Sequence, residues 1–434
     1  MKRIHLLLAA LAVIAVAACQ KPEAPANSED ANIPGYSEKD DPNRPSGKDD
    51  VTVSTEEYIE QVAKELMDAL NYDKWSSEAE YIHKVVLALK SKEIKDDKLA
   101  NWLDALTDTW EQEPRKEGSF TIYDNIVRLS DAKGHFEEQA DGTIAYTEAN
   151  DLMFTFLVDG EKVSATYTGT DTNVPIRISS NSWTSWDENN QQYGEARNTY
   201  VYVPESVTLK ILRGTAEFAS LDLKMSADVK DPTSPNPYTD SATLDLTFKI
   251  GVYTLSLQKV AYSPTGASAY VKLLSGNASL ITVDAKGTYE LDPASNAPVP
   301  IKSGAVNASI DVLGKIQVKG DIPDVVKFLN TGESMNEKNR DGNAFKAIVA
   351  ELEKTCSAAM YFNGSSTARA TLGFEALEAG NGYWNCNPVL RFPDGTSIGI
   401  EDYVTGDKFR NVTNYAENWM SGIQRYISNL FSDI

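Results

Sequence analysis

Apolar side chains recur along this chain with two different periods, and the change from one to the other divides it. Between residues 53 and 116 they step by three and four. Ile59, Val62, Leu66 and Leu70 share one helical face, Tyr81, Val85 and Leu89 a second, and Leu99, Trp102, Leu103, Leu106 and Trp110 a third. The first two runs open on Ser54 with Glu57 and on Ser77 with Glu80, the spacing at which a hydroxyl and a carboxylate satisfy the unpaired amides of a helix start. Three helices are predicted, closed by Pro114.

From residue 117 to 320 the period falls to two. Leu221, Leu223, Met225, Ala227 and Val229 alternate with Asp222, Lys224, Ser226 and Asp228, and Leu244, Leu246, Phe248 and Ile250 do likewise. Strands that bury one face and wet the other are predicted, with turns at Asp159-Gly160, Pro264 to Gly266, Gly276-Asn277 and Asp292 to Pro300. No fixed repeat length links the strands, so a meander of successive neighbours is the simplest topology.

Residues 321–434 return to mixed structure. A helix is expected to start at Pro323 after Asp321, another to run from about Asn343 to Thr355, and a strand to end at Asn363-Gly364. Strands over Thr367 to Leu377 and Tyr383 to Phe392 follow, then the turn Pro393-Asp394-Gly395. Val412, Ala416, Trp419, Ile423, Tyr426 and Leu430 close the chain on one apolar helical stripe. The expected class is α+β: N-terminal helices, a large antiparallel, meander-like β-sheet, and a C-terminal α/β section ending in a long amphipathic helix.

The first 18 residues have a character of their own. Lys2 and Arg3 precede an apolar run from Leu6 to Ala18, too short for a bilayer core that needs about 20 residues of helix. Val16, Ala17, Ala18 and Cys19 resemble the bacterial lipobox. That resemblance implies cleavage before Cys19, a diacylglyceryl group on its sulfur and a further acyl chain on its amino group, and several chains anchor stably where one does not. Gln20 is not the Asp linked to inner-membrane retention, so the expected destination is the outer membrane, on its periplasmic side or displayed at the cell surface. Residues 19–52 are rich in Pro, Asn, Ser, Asp and Glu and cannot bury enough surface to hold a fold, so they are expected to be a tether.

The full chain of 434 residues carries a net charge of −22. Loss of residues 1–18 removes Lys2 and Arg3 and no acid, taking the charge to −24. Such a field repels polyanions and disfavours nucleic acid as a partner. Three Cys and three His leave little for metal or histidine chemistry. His83 and His135 have no Cys or His at ligand spacing. Glu337, Asn339, Asp341 and Gly342 imitate the start of a calcium loop, but its twelfth position is Ile348, where a bidentate Glu belongs. No catalytic residue, metal site or cofactor is therefore assigned, and the expected role is non-enzymatic, structural or binding, with a carboxylate-based hydrolase as the minor alternative.

Two ligand chemistries remain open. Trp183, Trp186 and Tyr193 lie among Ser, Thr, Asn and Gln with few aliphatic neighbours, as a loop platform for glycan would, because flat rings stack on sugar faces while amides meet hydroxyls. Alternatively, a curved sheet with its apolar side only partly filled could hold an apolar ligand. Cys356 and Cys386 would face an oxidising compartment and either form a disulfide or stay as buried thiols. Beyond the lipobox, the order of elements and the stretch Ala308 to Lys315 resemble uncharacterised envelope lipoproteins of gut Bacteroidetes, a likeness that implies no catalytic residue and no particular ligand.

Overall fold

The computed structural model describes residues 54–71, part of 74–88, 115–117, 120–131, 133–186, 192–231, 236, 238–292 and 301–400. The leader, the tether, the third N-terminal helix and the final amphipathic helix expected from the sequence lie outside the described residues. What is described is α+β and mostly antiparallel sheet, divided into two compact units: Ser77–Pro264, and a second that begins at Thr265 and takes in the first helix.

That helix, α1 (Thr55–Leu70), starts on the expected capping box: Glu57 N–H donates to Ser54 Oγ at 3.3 Å and Ser54 N–H to Glu57 Oε2 at 3.1 Å. It ends on Asn71 in the left-handed region at φ 37°, which asparagine tolerates better than most side chains. The Asn71 side chain then accepts the N–H of Lys74 at 3.1 Å, and Lys74 is already helical. Ser77, the start expected from the sequence, is itself helical, so it does not stand as the cap of its helix.

In the first unit the strands are β1 (Arg115–Glu117), β2 (Phe120–Val127), β3 (Gly134–Glu138), β4 (Ile144–Thr147), β5 (Leu152–Val158), β6 (Glu161–Trp186), β7 (Gln192–Arg213), β8 (Ala216–Asp228), β9 (Ser241–Ile250) and β10 (Tyr253–Ser263). From β5 to β10 each pairs antiparallel with the next. The unit is nevertheless not a simple meander, since β2 runs parallel to β7 and β3 parallel to β5. The cause is the length of the β6–β7 hairpin. Strand β5 covers β6 only as far as Tyr167 and β8 covers β7 only from Ser206, so the outer half of β7 is left for β2, which pairs with Gly194 to Val201. Irregularities around Asp171 and Pro175, where proline lacks a ladder donor, separate the two halves of β6.

Helical residues between 77 and 88 pack on the inner half of this sheet. Val85 joins Phe156, Val158 and Val163, and Tyr81 meets the Phe218 ring edge-on at 4.8 Å. The Arg213 guanidinium lies over the Tyr81 ring, 4.4 Å from its centroid.

The second unit is a true meander. Strands β11 (Gly266–Ser275), β12 (Ala278–Leu291), β13 (Ile301–Val312), β14 (Ile316–Ile322), β15 (Ser357–Phe362), β16 (Ala368–Gly380), β17 (Tyr383–Arg391) and β18 (Ser397–Gly399) pair antiparallel in sequence order. Helices α2 (Val325–Glu337) and α3 (Gly342–Leu352) are inserted between β14 and β15. Asp324, not Asp321, caps α2 by accepting the Lys327 N–H at 2.9 Å. Asp321 is instead held in β14 opposite Asn307 and Ser357.

Packing fixes both helical layers. From α3, Phe345, Val349 and Leu352 bury against Phe374. From α1, Tyr58, Ile59 and Val62 bury against Ile316 and Phe362, and Tyr58 Oη donates to Asn363 Oδ1 at 2.6 Å. Among the described residues no helix is long and apolar enough to cross a membrane.

Candidate functional site

The second unit has an open groove of about 1100 Å³ between the end of the β12–β13 hairpin and the two inserted helices. Its floor comes from three cross-strand pairs: Thr288 with Ala305, Tyr289 with Gly304, and Glu290 with Ser303. Its wall is one face of α2, where Lys327, Asn330, Thr331 and Ser334 recur at helical spacing, together with Ala347, Ile348 and Glu351 of α3.

Gly304 is required by close approach, because a Cβ there would stand 2.8 Å from the Thr288 carbonyl oxygen and 3.1 Å from the Tyr289 Cβ. The floor beside Tyr289 therefore has no side chain. Burial pushes the Tyr289 phenol up to about 12, so it stays protonated and can donate a hydrogen bond.

Two ion pairs line the groove. Lys302 Nζ lies 2.7 Å from Glu290 Oε1 and Lys327 Nζ 2.6 Å from Glu351 Oε1, with Lys354 on the other Glu351 oxygen at 3.3 Å. Hydrogen bonding to these lysines holds both carboxyls below the ordinary range. The hydroxyls of Thr331 and Ser334 donate to the Lys327 and Asn330 carbonyls, which leaves their oxygen lone pairs as acceptors.

The residues singled out in the sequence lie elsewhere. Trp183 and Trp186 are in β6 and Tyr193 in β7, so the expected polar loop is a strand ladder. Trp183 pairs with Glu195, Ser185 with Tyr193 and Trp186 with Gln192. By alternation, positions 183 and 193 share one face of the ladder and position 186 falls on the other.

Cys356 and Cys386 are thiols and no disulfide joins them. Cys356 is buried and donates to the Leu352 carbonyl at 3.4 Å, while Cys386 packs beside the Phe345 cluster. His135 Nε2 lies 2.8 Å from Asp151 Oδ1. Asp341 of the calcium-like run caps α3, accepting from the Ala344 N–H at 3.1 Å. Among the described residues no group of three or more His, Cys, Asp or Glu is placed to hold a metal ion.

A second feature is apolar. Leu209, Leu221, Phe248 and Leu255 align across β7 to β10, and so do Leu223, Leu246 and Leu257. All of these are half-buried, in contrast to Val163, which is fully buried under the helix.

The sequence gives no groove residue a binding role: Pro323 reads as a helix start, Ile348 as the missing ligand of a calcium-like run, and the polar face of α2 as an ordinary solvated one. The usable signal was the spacing of Lys327, Asn330, Thr331 and Ser334, amide and hydroxyl mixed with charge, on a helix none of whose residues is buried. Comparison with known proteins adds no relative: no family model, no curated protein and no solved structure matches this chain.

Proposed function

We propose that this chain is a lipid-anchored, non-enzymatic protein of the bacterial cell envelope, held at the outer membrane by acyl chains on Cys19 and acting by binding a ligand in the groove of its second unit. The lipobox-like Val16-Ala17-Ala18-Cys19 and the polar stretch behind it support the anchoring. The groove supports the binding role, because a concavity with convergent polar groups on a rigid scaffold is the usual form of a ligand site. Binding is favoured over hydrolysis by the state of its carboxyls. A glycosidase needs one carboxyl kept protonated, and Glu290 and Glu351 are both pulled the other way by lysines.

Mass spectrometry of the native product tests the anchoring. It should begin at Cys19 and carry fatty chains, and a Cys19→Ser chain should leave the membrane fraction. A mature protein that starts elsewhere without acyl groups refutes the proposal.

The half-buried leucine rows of β7 to β10 favour a second possibility, an apolar ligand held against the first unit. Solvent extracts of the native protein should then contain a copurifying apolar molecule, and clean extracts remove the idea.

A further inference from the structure

We infer that the ligand of the groove is a neutral oligosaccharide, an inference that rests on the binding role proposed above and names its chemistry. The lining offers what a sugar needs. Its single aromatic, Tyr289, is a half-buried ring beside a side-chain-free strip at Gly304, and aromatic faces pack on the C–H faces of pyranose rings. On the helix wall stand the amide of Asn330 and the hydroxyl oxygens of Thr331 and Ser334, short polar groups able to meet sugar hydroxyls.

Charge decides against an acidic ligand. Each groove lysine is already matched by a carboxylate, Lys302 by Glu290 and Lys327 by Glu351. Such a pair sets an N–H donor beside an acceptor oxygen, which suits two adjacent hydroxyls and leaves neither lysine unmatched to attract an anion. The start of α2, where an anion would find open amides, is taken by Asp324, whose carboxylate accepts the Lys327 N–H. An acidic ligand would meet Glu290, Asp324 and Glu351 together.

Topology decides against an extended peptide. Peptides dock along sheets by pairing with an open strand edge. Strand β12 is flanked by β11 and β13, and β13 by β12 and β14, so the groove floor offers no edge to pair with.

The full-length mature protein, in detergent, should be tested against an array of neutral and acidic oligosaccharides and a peptide library, with hits measured by calorimetry. Neutral oligosaccharides should bind. Tyr289→Ala and Asn330→Ala should each weaken them by about tenfold, the scale of one stacking or polar contact, while Glu205→Ala in the other unit leaves affinity unchanged. Asn330→Ala changes an unburied helix position, so it remains informative if Tyr289→Ala fails to fold. Absence of any neutral hit, or hits indifferent to both groove variants, overturns the inference. Groove-dependent capture of peptides or acidic chains would also overturn the sugar assignment but leave the binding role standing. Silence from every probe, with no effect of groove variants, would remove both.

Discussion

Truncating Phe362 probes how firmly α1 is fastened to the second unit. The side chain is fully buried, lies across the β14–β15 ladder from Ile316, and is closed over by Tyr58, Ile59 and Val62 of the helix, with the Tyr58 ring centroid 4.5 Å away. Phe362→Ala leaves a ring-sized hole between a strand and a helix. The strand is pinned by its ladder and cannot move in, so the loss should fall within the ~3–5 kcal/mol typical of buried phenylalanine. Part of it belongs to the ring pair. A double-mutant cycle with Tyr58→Ala should show coupling of about 0.5–1.5 kcal/mol. Because the two units need not unfold together, urea denaturation should be paired with hydrogen exchange read on peptides from α1 and β14–β15. Exchange should rise in α1 first. A loss below about 1 kcal/mol, or unchanged protection in α1, would refute this account of the docking.

Other outcomes can be checked on the same protein. Burial works to raise the pKa of Asp240, but hydrogen bonds from the Lys230 and Asn236 amides and the Thr239 hydroxyl outweigh it and leave the carboxyl below 3.8. Its stabilisation is therefore present above that pH and lost as pH falls through the lowered value, and Asp240→Asn should flatten this acid limb and cost about 1–3 kcal/mol at pH 7 by denaturant titration. Asp321 has the opposite sign: burial raises its pKa above 3.8 against the Asn307 amide, so ionisation costs stability as pH rises through the raised value. Asp321→Asn should gain stability at pH 7 and lose that advantage at pH 3. Thiol labelling under denaturing, non-reducing conditions should modify both Cys356 and Cys386, with Cys356 protected in the native state. A protein that takes no label carries a disulfide instead.

What could be read from the sequence was what is decided locally. The capping box of Ser54 and Glu57, the alternation of β8 and β9, and the turn at Asp159-Gly160 each depend on neighbours within a few residues. Asn71 and Asp324 were missed because asparagine and aspartate fit several roles near a helix end, and only the backbone path selects one. Polarity around Trp183 and Trp186 predicts a loop, yet Thr, Trp and Tyr are strand-favouring residues and the segment is a strand. The parallel pairing of β2 with β7 follows from how far one hairpin outruns its neighbours, a length that no local pattern encodes. The groove was hidden for a similar reason. Its floor lies between residues 288 and 305 and its wall between 323 and 351, and only the insertion of two helices into the meander brings them together.

The hydrogen bond from Tyr58 to Asn363 joins residues 305 positions apart, which has a consequence for biogenesis. The segment that forms α1 must wait until Phe362 and Asn363 have been made before it finds its seat. A stalled or clipped chain would leave α1 with its apolar stripe uncovered beside the proposed anchor, a natural handle for chaperones and proteases. Only a chain that extends past Asn363 hides it.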